Sequence, residues 1–174
     1  MRKSSHFIVF AISVCFALIC AIRAYLLIDE TSLWYDELNT AYKSFHLTLP
    51  QLIDYLKNDV HPPIYYIFMH FISLLLPNTP FTIRLVSWIF YILGGSLTVI
   101  LTYYFARVKG FDRPIIAVSV ATIIVFCTPF PLTYSIEGKA YSLMVLELAF
   151  VLITRNMMLK SNVNLVKSTW KIIL

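Results

Sequence analysis

Charge is scarce in this sequence: only 13% of its 174 residues are charged, against about a quarter in an ordinary soluble domain. That deficit, with 59% hydrophobic residues and a mean hydropathy of +0.77, excludes a water-soluble single domain. It also excludes a disordered chain, which needs low hydrophobicity and high net charge. Cysteine is rare as well. Cys15, Cys20 and Cys127 all fall in apolar runs without the spacing of a zinc or redox site, so they read as small packing residues. The chain has no glycosylation sequon, retention tail, lipidation motif or internal repeat. Its net charge of +5 does not signify nucleic-acid binding, which needs Lys and Arg gathered on one polar face. Here they form short clusters between apolar segments, the arrangement of topology signals.

Long apolar runs and aromatic rings are abundant. Thirteen Phe, eleven Tyr and three Trp suit a protein that meets both lipid and the lipid–water interface. The run from Phe7 to Ile28 has 22 residues after Arg2 and Lys3. It is long enough to cross a bilayer core and too long for the apolar core of a cleaved signal peptide. Further runs cover 83–105, 115–132 and, more briefly, 141–153, the last interrupted by Glu147. The stretch 62–77 is also apolar, but it is short, opens on two prolines and carries His70. If it crossed, the cluster Arg107, Lys109, Arg113 would be external, against the retention of Lys and Arg on the cytoplasmic side. The sequence therefore predicts an all-α protein with a single membrane module over 1–174. Its crossings are expected at about 7–28, 83–105, 114–132 and 140–154, and the external loop 29–82 should contain helices lying in the interface. The N-terminus and the basic tail Arg155, Lys160, Lys167, Lys171 are then cytoplasmic. Seven of the nine acids fall on the outer side, where loop 29–82 and the segment 134–139 converge.

Several residues there could carry chemistry. Asp36 and Glu37 follow Trp34 and Tyr35; a carboxylate shielded by rings at an interface suits a general base, while Asp36 could equally cap a helix start. His61 precedes Pro62 and Pro63 and could contact a phosphate or a metal, or sit solvated in a turn. Glu137 and Lys139 form an acid–base pair at the mouth of the last run. They suit a hydroxyl or cation and a phosphate respectively, or a plain interfacial salt bridge. Arg84 is a candidate phosphate ligand through its forked guanidinium, or a side chain snorkelling at a helix end. Glu147, inside a span, is a functional candidate by position.

Taken in order, SLWYDELNTA (32–41), HPPIYYIFMHF (61–71), TIRLVSWIFYILGG (82–95) and LTYSIEGKAYSLMVL (132–146) resemble the start of bacterial membrane glycosyltransferases of the protein O-mannosyltransferase-like (family 39) group. That group has the type C glycosyltransferase fold. The resemblance covers about residues 5–155. It implies transfer of a sugar from a polyprenyl-phosphate donor to an acceptor at the outer face of a bacterial inner membrane, in one inverting displacement. It further implies that Asp36 is the general base, supported by Glu37, and that Glu137, where many members have Asp, contributes to acceptor or metal binding. His61, Arg84 and Lys139 become the residues for the carrier phosphate. No cofactor motif is present; a divalent metal, where used, would draw on Glu37, His61 and Glu137. Relatives of this kind carry further spans, and Ile172 to Leu174 begins another apolar stretch. The expectation is thus an amino-terminal part whose groove is completed by a missing C-terminal half or a partner subunit. The competing reading is a non-catalytic scaffold or accessory subunit that holds a lipid carrier. A transporter fits less well, because no pair of spans shows the mid-membrane Gly or Pro interruption that transporters use.

Overall fold

A computed structural model describes residues 2–156, with side chains from His6 onward; the tail lysines 160, 167 and 171 and the apolar 172–174 lie outside the described residues. Every regular element among the described residues is helical. The elements are α1 (Arg2–Leu26), α2 (Tyr35–Ala41), a π-helical turn (Tyr42–His46), α3 (Leu49–Leu56), α4 (Pro63–Ser73), α5 (Pro80–Val108), α6 (Pro114–Cys127), α7 (Pro129–Ser135) and α8 (141–156).

Two helices, α1 and α5, are long and apolar enough to cross a membrane. At 1.5 Å per residue they extend about 38 and 44 Å, beyond the ~30 Å hydrocarbon core. The packing of α1 is the inverse of a soluble helix. Its inward stripe, Ser13, Ala17, Ala21 and Ala24, is small, while Phe7, Ile12, Phe16, Ile19, Ile22 and Leu26 point outward and are exposed. Small residues let backbones approach where no water drives helices together, and α1 packs mainly along α6. Its second neighbours are joined through Trp88, whose Nε1 donates to the Ala21 carbonyl at 3.0 Å.

The expected third crossing is broken. Helices α6 and α7 meet at 51° around Thr128, which is extended (ψ 151°) because Pro129 disfavours a helical residue before it. The carbonyl of Phe126 freed near the break accepts from Tyr91 Oη at 3.0 Å. As one bent unit α6 and α7 would make a third span. The expected fourth crossing, 140–154, falls on α8, whose 16 described residues are fewer than the ~20 a span needs; among the described residues only α1 and α5 reach that length as single helices. On α5, a Cβ at Gly94 would lie 2.9 Å from the Leu146 backbone nitrogen, so this glycine sets how closely α8 can approach.

The stretch 62–77 forms α4, 11 residues long and about 17 Å by helical rise, too short to cross. It packs sideways: Tyr65, Tyr66 and Met69 join Leu52, Leu56, Ile83, Val86 and Phe90 in one buried cluster. Ile64 and Phe71 are exposed on its other side, while Phe68 packs on Phe90 at 5.2 Å. His70 Nδ1 (3.2 Å) and Ser73 Oγ (3.4 Å) reach the carbonyl of Ser44, tying α4 to the π-helical turn. The loop helices thus form a cap over the N-terminal end of α5.

Because α5 separates two exposed sites, Asn78→Cys and Asp112→Cys in a background with the three native cysteines replaced by Ala should react with a membrane-impermeant maleimide from opposite sides. Reaction of both from one side would show that α5 does not cross.

Candidate functional site

At the start of α5, Arg84 is buried at 4% exposure. It survives there because every donor is used. Nε and Nη2 grip Glu37 Oε1 and Oε2 at 2.9 and 2.7 Å. Nη1 donates to the carbonyls of Ile28 (2.9 Å) and Thr31 (2.7 Å), and Nη2 to that of Ser32 (3.1 Å). These are the five N–H groups of a guanidinium. Glu37, fully buried, also accepts from the Gly138 backbone N–H at 2.7 Å and, more loosely, from Trp34 N–H at 3.4 Å. Three chain segments around 28–37, 84 and 138 are therefore fastened at one point. Gly138 is required by the closeness: a Cβ there would meet Ile83 Cγ2 at 2.2 Å and Glu37 Oε1 at 3.3 Å.

This geometry separates residues that the sequence groups together. Arg84 has no donor left for a phosphate, and it does not snorkel. Glu37 anchors the fold and has no free oxygen for a proton or a cation. Asp36 is not a helix cap, since α2 begins at Tyr35; it lies in the first turn and pairs with Lys139.

Around that pair the second layer of the site is built. Lys139 is 8% exposed and sits over the rings of Trp34 (5.0 Å to the centroid) and Tyr141 (5.6 Å). Asp36 is the open partner, with 37% of its side chain accessible. Glu137 lies beside them with its Oε2 buried and unpartnered among the described residues. Burial, then the negative charge of Glu37, pushes its pKa up, against the opposing pull of Lys139. Tyr141 packs edge-on against Tyr134 at 4.6 Å. Both rings end an almost wholly apolar groove of about 350 Å³ that runs between α5, α6, α7 and α8 past Gly95, Phe130 and Val145.

A third group was not visible as a set in the sequence. Lys43, 1% exposed, pairs with Asp59, 7% exposed, beneath the rings of Tyr66 (4.6 Å) and Tyr55 (5.2 Å). Asp59 Oδ1 also accepts from the His61 backbone N–H at 2.9 Å and faces its Nδ1 at 2.8 Å. A carboxylate only accepts, so Nδ1 carries the proton and Nε2 is left as the outward atom. Burial alone would raise the Asp59 pKa, but the bonds from Lys43 and His61 hold it at about 2. Burial, followed by the charge of Asp59, pushes the Tyr66 phenol up to about 12.

His61 is therefore occupied by Asp59 and does not join Glu37 and Glu137; no cluster of three metal-ligating side chains occurs among the described residues. Glu147 is half-buried in α8, apart from these groups. No family model, curated protein or solved structure matches the chain.

Two outcomes follow from these networks. Glu37→Ala should cost about 3–5 kcal/mol, read as a lowered unfolding midpoint in detergent, because it strands a buried cation. Adding Arg84→Met should recover only part, since the Ile28, Thr31 and Ser32 carbonyls then lose their donor; an unchanged midpoint in Glu37→Ala would show that the pair is not an anchor. Asp59, lowered from 3.8 to about 2 on folding, stabilises the fold above its unfolded value, and that contribution is lost as pH falls from about 4 through 2. Asp59→Asn should flatten this part of the stability profile.

Proposed function

We propose that this chain carries the outer-face chemistry of a sugar transferase that uses a polyprenyl-phosphate donor. The observation that carries the reading is the junction of the Asp36–Lys139 pair, open at Asp36, with the apolar groove lined by Tyr134 and Tyr141. A charged head beside a lipid-compatible channel suits an amphiphile with an anionic headgroup. In this reading the donor's phosphate binds Lys139, drawing it away from Asp36. The freed carboxylate takes the proton of an acceptor hydroxyl as its oxygen attacks the anomeric carbon. The bond from that carbon to the phosphate oxygen breaks, and its electron pair leaves with the polyprenyl phosphate. Glu137, whose pKa is raised by burial and by the charge of Glu37, lies beside the pair with its Oε2 unpartnered among the described residues and is the remaining polar group for the sugar. Arg84 and Glu37 position this apparatus without touching the reacting atoms. The outer side is assigned to loop 29–82 by the distribution of Lys and Arg.

The resting pair Asp36–Lys139 favours one second reading. A carboxylate already paired with a lysine has no free base function, which fits a subunit that holds the carrier without transferring the sugar. In proteoliposomes supplied with a polyprenyl-phosphate sugar, the transferase reading expects Asp36→Asn to lower transfer by about 10²–10⁴-fold with donor binding retained. Donor binding without product from the unmodified protein would select the carrier-holding reading. Product formation unaffected by Asp36→Asn would remove Asp36 as the base.

A further inference from the structure

The hollow over Lys43 and Asp59 is distinct from the Asp36–Lys139 junction and has a different chemistry. It is open, about 540 Å³, and lined by Asn39, Tyr55, Asn58, Asp59 and His61 among others. Its floor is charge-compensated: Lys43 is matched by Asp59, and Asp54 on the rim by Lys57 at 2.9 Å. An anion gains no net attraction there, which also counts against His61 as a phosphate ligand. What the hollow does offer is a mixture of donors and acceptors, of which His61 is fixed by Asp59. The amides of Asn39 and Asn58 can each donate and accept, and His61 presents Nε2 because Asp59 holds Nδ1. The ring of Tyr55 is 44% exposed, giving an apolar surface beside them. Neutral ligands with alternating hydroxyls and C–H faces match this combination: hydroxyls pair with the amides and imidazole, and the C–H face covers the ring.

We infer that this hollow is a binding site for a neutral carbohydrate. It stands on the residues of the hollow alone. That the carbohydrate would be the acceptor rests on the transferase reading: Asn39 lies one helical turn after Asp36 on α2, so the two share a face, and a glycan seated on Asn39 can direct a hydroxyl toward Asp36.

The test is saturation-transfer NMR on the full chain in detergent, with neutral methyl glycosides of a hexose, an N-acetylhexosamine and a pentose, and inorganic phosphate as competitor. An open site with few anchors should bind with Kd about 1 mM. Tyr55→Ala and the exposed Asn58→Ala should each weaken binding about tenfold. Asn58→Ala guards against loss of folding, since Tyr55 also covers Lys43. Absence of saturable binding to any of the glycosides, binding indifferent to both hollow variants, or displacement by phosphate would each overturn the inference. Carbohydrate binding in a protein that transfers nothing would leave it intact and overturn the transferase reading instead.

Discussion

A guanidinium cannot lie buried unless all of its donors are matched, and this end of the helix bundle is arranged around meeting that condition at Arg84. Two of the bonds go to one carboxylate and three to backbone carbonyls at the end of α1. The carboxylate in turn holds the turn at Gly138. Moving any of these segments exposes an unmatched charge to a medium of low polarity, so the relative positions of α1, α2, α5 and the α7–α8 turn are set together. The same carboxylate fixes the direction of α2 and hence brings its neighbour Asp36 to Lys139.

Two polar layers of different character rest on that anchor. The Lys139 layer is open at its acid and adjoins an apolar groove. The Lys43 layer is closed at its acid and adjoins a polar hollow. Tyr66 stands between them, feeling the charges of both Asp59 and Asp36, with its ring already committed to Lys43. The π-helical turn creates the second layer: directly after α2 it buries Lys43 and Ser44, and the carbonyl of Ser44 is taken up by His70 and Ser73 of α4. Irregular helical turns of this kind gather at functional sites because they redirect side chains that a regular helix would leave elsewhere.

Much of the architecture was legible from composition and run length. The apolar stretches at 7–28 and 83–105 correspond to α1 and α5, and the prolines and length of 62–77 marked a helix that does not cross. Convergence of loop 29–82 with 134–139 was implied by charge distribution and appears as the contacts of Glu37 with Gly138 and of Asp36 with Lys139. The roles within the site were less legible. Nothing local tells whether a carboxylate beside another will face solvent or an arginine 47 positions later, so only the resemblance set Asp36 apart from Glu37, and the anchoring role of Glu37 went unseen. Lys43 gave no signal, because its burial depends on the change of helical register after Ala41. The break at Thr128 was missed: 114–132 was expected to cross as one helix although Pro129 and Pro131 lie within it, and the 51° angle depends on packing against α5.

The order of the anchor's parts along the chain bears on how the protein is made. Ile28, Thr31, Ser32 and Glu37 emerge from the ribosome before Arg84, so the acceptors are already present when the cation arrives in the bilayer. The first helix, loop and α5 can lock as a unit while later helices are still being synthesised, in keeping with folding from the amino terminus. Gly138 joins last, and with it come Lys139 and one wall of the apolar groove. The acid at Asp36 is thus synthesised before both its counter-charge Lys139 and the helices α6 to α8 that wall the apolar groove, so no half-built chain presents the groove without the acid.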